Sequence, residues 1–86
     1  MKGILLLVLF FTVFEANSQT RNNYTSQGSY EFSRGRYSSA IKLLNKAIKN
    51  YPTNARAYFL RGISKSELDD FLGAENDLPK AITYNP

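Results

Sequence analysis

Apolar residues recur along this chain at helical spacing in four stretches. Tyr24, Gly28 and Phe32 stand four apart, and Tyr37, Ala40, Ile41, Leu44 and Ile48 follow at steps of one to four. Tyr58, Leu60 and Ile63 open a third stretch, and Phe71, Ala74, Leu78, Ala81 and Ile82 make a fourth. Such steps place an apolar stripe along one side of a helix. They predict helices over about 22–34, 37–50, 55–68 and 71–84. The breaks carry their own signals. Gly35, between Arg34 and Arg36, suits the left-handed residue that ends a helix. Asp69-Asp70 can accept hydrogen bonds from the free N–H groups that open the next helix. Pro52 stops the helix before it.

The four stretches form two copies of one plan. At an offset of 34 residues, Tyr24/Tyr58, Gly28/Gly62, Ala40/Ala74, Leu44/Leu78, Lys46/Lys80, Ala47/Ala81, Ile48/Ile82 and Pro52/Pro86 are identical, and Tyr37/Phe71 keeps a ring. A fixed period of this size marks a repeat architecture, in which each unit buries its apolar face against the next. Glycine inside a helix costs about 1 kcal/mol against alanine. Two of them one period apart therefore point to close helix packing, with Gly28 facing Ala40 and Gly62 facing Ala74.

The series Tyr24-Gly28-Ala40-Leu44-Ala47-Pro52 and its copy Tyr58-Gly62-Ala74-Leu78-Ala81-Pro86 resemble the tetratricopeptide repeat family. The resemblance implies an all-α fold: two tandem helix-turn-helix repeats, a short α-solenoid, with repeat one over residues 21–54 and repeat two over 55–86. It departs from the family at Gln27 and Arg61, in place of a usual Leu, and at Glu31 and Lys65, in place of a usual apolar residue. A thin core is expected there. Pro79 lies inside the last expected helix, where it removes the bond to the Glu75 carbonyl and crowds that turn. A kink or early break near Leu78 is expected, with residues 80–84 weakly helical, against the plainer and favoured reading that a terminal helix tolerates a bend there.

The chain opens on Met1-Lys2 and an apolar run from Gly3 to Phe14, followed by the small residues Ala16 and Ser18. This is the pattern of a secretory signal peptide over residues 1–18, with cleavage after Ser18. The run is shorter than the roughly 20 apolar residues a spanning helix needs, so no transmembrane helix is expected in the mature chain, residues 19–86. That chain would be exported, periplasmic or secreted. It has no Cys for a disulfide staple. Two units are fewer than the three a repeat array generally wants. Self-association, a required partner, or a place at the front of a longer array would each answer the shortfall.

Chemistry is scarce. Without His or Cys the chain lacks the commonest general base, thiol nucleophile and metal ligands. No GxSxG elbow and no Gly-rich phosphate loop occur. Glu67, Asp69 and Asp70 do not match a calcium-loop spacing and read as helix capping and solvation. The expectation is a protein that is not an enzyme, with no catalytic residue, no metal and no cofactor. Charge is split along the chain. Residues 19–65 carry nine bases against one acid, Glu31, and residues 66–86 carry five acids against one base, Lys80. This allows head-to-tail self-association of a basic first unit with an acidic second one. A solvated outer face containing Lys42, Lys46 and Lys49 is the plainer account. Nucleic acid is not expected as a partner of an exported chain. A basic surface that binds anionic envelope components is the alternative.

In the family it resembles, the first helix of each unit lines a groove that holds a peptide. That resemblance places Asn22, Thr25, Ser29, Phe32 and Ser33, then Arg56, Phe59, Ile63, Ser66 and Glu67, along the groove. Members that capture chaperone C-terminal carboxylates carry Lys and Asn at the positions of Thr25 and Ser29, and Asn at that of Leu60, so this ligand class is excluded. Thr25, Ser29, Phe32, Arg56, Phe59 and Ile63 remain as the peptide-groove candidates, with Phe32, Phe59 and Ile63 an apolar strip and Arg56 at its edge. The functional expectation is a non-catalytic interaction module or scaffold that binds a protein or peptide partner in the bacterial envelope. The alternative is the leading part of a longer repeat array with no ligand of its own.

Overall fold

The computed structural model describes residues 24–85. The expected signal peptide and its cleavage after Ser18 lie outside the described residues, as do Asn22 and Pro86. The described residues form four helices: α1 over 24–33, α2 over Tyr37–Asn50, α3 over Ala55–Glu67 and α4 over Phe71–Tyr84. The fold is all-α, as the spacing predicts.

Each helix pair turns through the same device. Gly35 adopts φ 74° and Asp69, 34 residues later, φ 64°. In both turns the N–H of this residue and that of the next reach back to the closing helix. Gly35 N donates to Phe32 O and Arg36 N to Glu31 O, at 3.0 and 2.9 Å; Asp69 N donates to Ser66 O and Asp70 N to Lys65 O, at 3.0 and 2.8 Å. These bonds satisfy carbonyls that a helix end leaves free. Asp70 then caps α4, its carboxylate accepting from Gly73 N, and Asn54 caps α3 by accepting from Ala57 N.

The core lies between the units. Ala40, Leu44 and Ala47 of α2 meet Ala57 and Leu60 of α3, with Tyr24, Phe32 and Ile48 packed around them. The glycines admit a leucine rather than the expected alanine. A Cβ on Gly28 would stand 2.8 Å from Leu44 Cγ and Cδ2, and one on Gly62 2.8–2.9 Å from the same atoms of Leu78. After Leu44 the next atom at Gly28 is the Ala40 carbonyl oxygen, at 3.6 Å, and after Leu78 the next at Gly62 is Asp77 Cβ, at 3.3 Å. The repeated Lys46/Lys80 pair has a shared role, since each ammonium sits over the tyrosine of its own unit, Tyr24 or Tyr58, at 5.5 and 5.6 Å.

Two expectations need correction. The helix does not break at Pro79: α4 runs unbroken to Tyr84. Glu75 and Pro79 both lie on its exposed side, where water can serve the freed carbonyl, and Thr83 Oγ1 bonds Pro79 O in the following turn. Nor is unit two thin at Arg61 and Lys65. Both converge on Asp77 of α4, whose side chain is 0% exposed. Arg61 donates from Nε and Nη2 at 2.8 and 2.7 Å, Lys65 Nζ stands at 3.0 Å, and Arg61 Nη1 also reaches Asn45 of α2 at 2.9 Å. Burial pushes the Asp77 carboxyl up, but the hydrogen bonds and charges of Arg61 and Lys65 outweigh it and hold its pKa below the ordinary value. Unit one has Gln27, Leu43 and Glu31 at the corresponding positions. There Glu31 Oε2 has no hydrogen bond, and Arg36 Nη1 stands 3.7 Å away.

Candidate functional site

The six candidate residues do not form one strip. Thr25 and Ser29 on α1 are engaged with α3: Asn54 Nδ2 donates to Thr25 Oγ1 and Arg56 Nη2 to Ser29 Oγ, both at 3.0 Å. Phe32 is half-buried, packs against the inter-unit core and meets the edge of Tyr37 with ring centroids 5.7 Å apart. These three help join the units. Arg56, Phe59 and Ile63 of α3 stay together and line an open groove.

The other wall of that groove comes from α4: Leu78, Ala81 and Ile82. The groove encloses about 580 Å³, is mostly apolar, and has Arg56 and Asn85 as polar lining residues. Phe59 is 50% exposed and Ile82 70%. Both sit on ordered helices, so the apolar surface is held in place. The α4 wall is absent from the groove expected from the sequence, in which Leu78, Ala81 and Ile82 figure only as part of the repeated apolar pattern. The signal for them was the repeat itself, because their counterparts Leu44, Ala47 and Ile48 meet the neighbouring unit.

The acids of the second half are partly committed within the molecule. Asp77 is spent on Arg61 and Lys65, and Asp70 on the cap of α4. Lys42, Lys46 and Lys49 are exposed along α2. Among the described residues no group of three or more His, Cys, Asp or Glu is placed to hold a metal ion, and no helix is long and apolar enough to cross a membrane.

Comparison with known proteins agrees with the geometry. Residues 28–68 match a family model described as TPR repeat. This stretch begins at the packing glycine of α1 and ends just beyond α3, so it contains the whole inter-unit core. No curated protein and no solved structure matches the chain. Such repeats generally mediate protein–protein interaction. The helical pairs, their 34-residue register and the matched stretch together identify tetratricopeptide-type repeat structure over residues 28–68 of this chain.

Proposed function

We propose that this protein is a non-catalytic interaction module that binds a protein or peptide partner through the groove between α3 and α4. The observation that carries the reading is Phe59, half exposed at an apolar groove on a capped helix. A buried aromatic in a well-shaped pocket is the usual energetic centre of a protein interface. Here the aromatic is presented and its surroundings are built. Arg56 and Asn85 supply the polar rim that fixes orientation. The test is selection of random peptides on the full chain. Recovered sequences should lose binding to the Phe59→Ala variant, whose thermal midpoint should stay near that of the wild type because Phe59 is not core. Retention of every sequence by Phe59→Ala overturns the reading.

The setting proposed is the bacterial envelope, from the signal-peptide pattern of residues 1–18. Expression in a bacterium with an N-terminal sequence beginning at Gln19 in the exported fraction supports it. A chain that keeps Met1-Lys2 and stays in the cytoplasm refutes it.

A further inference from the structure

The repeat register says what shape of partner the groove takes. Shifting its lining back by 34 residues turns Phe59, Ile63, Leu78, Ala81 and Ile82 into Thr25, Ser29, Leu44, Ala47 and Ile48. Those residues are the surface of unit one that α3 occupies. Thr25 and Ser29 bond Asn54 and Arg56, and Leu44, Ala47 and Ile48 pack in the core that holds Ala57 and Leu60. The covered and uncovered copies differ as expected. Leu44 is 0% exposed, whereas Leu78 is half-buried; Ile48 is half-buried, whereas Ile82 is largely exposed. The groove is thus a second copy of a helix seat.

Resting on the binding function proposed above, we infer that the groove takes an amphipathic α-helix of a partner protein, laid across α3 and α4 as α3 lies across α1 and α2. Its contact face follows from α3. Ala57, Leu60 and Ser64 are buried at 0%, 6% and 0%, a small residue, a leucine and a small residue at spacings of three and four. One change in chemistry is dictated by the seat. Where α3 meets Thr25 and Ser29 with the polar Asn54 and Arg56, unit two offers Phe59 and Ile63. The partner helix is therefore apolar at its first turn, where α3 carries Arg56.

A second copy of this chain does not fit. Its α3 face is already spent on unit one. Its α1 carries Ser26 where α3 carries the anchoring Leu60, and Tyr30 where α3 has the fully buried Ser64. The leucine knob is missing and a ring stands where only a small side chain is accommodated.

The probe is the α3 segment itself, a fluorescein-labelled peptide of residues 53–68, titrated into the full chain by anisotropy. Saturable binding is expected, tightening by about threefold or more for the peptide with Arg56→Leu, since a buried apolar side chain replaces a guanidinium with no acceptor. The full chain with Ile82→Glu should bind about tenfold more weakly, because a charge enters the apolar seat. Its melting midpoint should be unchanged, as Ile82 is mostly exposed. Equal binding of the peptide to wild type and Ile82→Glu overturns the site. Failure of both helical peptides, while selected non-helical peptides still depend on Phe59, overturns the helix and leaves the binding function standing. Failure of every peptide overturns both. Concentration-dependent dimerisation abolished by Ile82→Glu would make the occupant a second copy and overturn the partner assigned here.

Discussion

Replacing Asp77 with Ala tests whether the buried carboxylate holds unit two together. The change removes the acceptor for Arg61 Nε and Nη2 and for Lys65 Nζ, at 2.8, 2.7 and 3.0 Å. It leaves two like charges beside a small void. Breaking a fully buried pair costs about 3–5 kcal/mol. Here the cations keep some access to water, with Arg61 and Lys65 side chains 15% and 19% exposed, and Arg61 keeps its bond to Asn45. The cost should therefore fall to about 2–3 kcal/mol. For a domain this small each kcal/mol moves the midpoint by about 4–8 °C, so the melt should drop by roughly 10–20 °C. Circular dichroism of the full chain and of Asp77→Ala at neutral pH reads this directly. The pH dependence has a definite sign. The folded carboxyl titrates below its ordinary value, so its contribution is complete above the unfolded pKa of about 3.9 and disappears as pH falls through the folded value. The gap between wild type and variant should hold from about pH 8 to 6 and close on acidification towards about pH 2. A midpoint shift of less than about 3 °C at neutral pH, or a gap as large at about pH 2 as at about pH 8, refutes the ionic account.

Four further substitutions test the repeat geometry and the proline in α4. Gly28→Ala should cost about 1–2 kcal/mol, because its Cβ meets the immobile Leu44 and overpacking exceeds the helix-propensity gain. Gly62→Ala should cost less than Gly28→Ala, since Leu78 can move into the open groove while Asp77 Cβ, at 3.3 Å, needs to give by only a few tenths of an ångström; equal losses in urea midpoint would show that Leu78 is as confined as Leu44. Asp69→Gly should stabilise by about 0.5–1 kcal/mol, because φ 64° suits the glycine found at the equivalent Gly35, and a lower midpoint in thermal denaturation would contradict it. Pro79→Ala should add about 2 kcal/mol by restoring the bond to the Glu75 carbonyl, less the entropy that proline removes from the unfolded chain; no gain in the calorimetric midpoint would show that the bond does not form.

The helices were legible because periodicity and breakers agreed. The ranges 37–50 and 71–84 match α2 and α4, and Gly35 and Asp69-Asp70 take the turn and cap roles their chemistry suggests. What the sequence hid were pairings between elements. Asp77 read as one acid among five, although it lies three residues after Ala74 and four before Ala81, within the buried stripe of α4. Arg61 and Lys65, four apart on α3, were the bases that such a carboxylate requires. The groove was half seen. Its α3 wall, Phe59 and Ile63 with Arg56, was anticipated, and Phe32 was not separable from it by spacing alone. The α4 wall could not be distinguished from core, because Leu44 and Leu78, Ala47 and Ala81, and Ile48 and Ile82 are the same residues. Identical side chains are covered in unit one and open in unit two, and neither residue type nor spacing tells them apart.

That separation has a consequence for how binding and stability divide. The ties between units run through Thr25–Asn54, Ser29–Arg56 and Arg61 with Asn45. The Arg61–Asp77–Lys65 cluster then secures α4 to α3. Phe59, Ile63 and Ile82 take part in none of these bonds, so they can be changed with little effect on folding while the groove loses its apolar surface. Arg56 is the exception, because it lines the groove and also holds Ser29. As an exposed bond between neutral and charged groups, the Arg56–Ser29 tie contributes at most about 1 kcal/mol. An occupant that draws the guanidinium away from Ser29 would therefore loosen α3 from α1 only slightly. The groove can accept a ligand at its rim without unfastening the first unit.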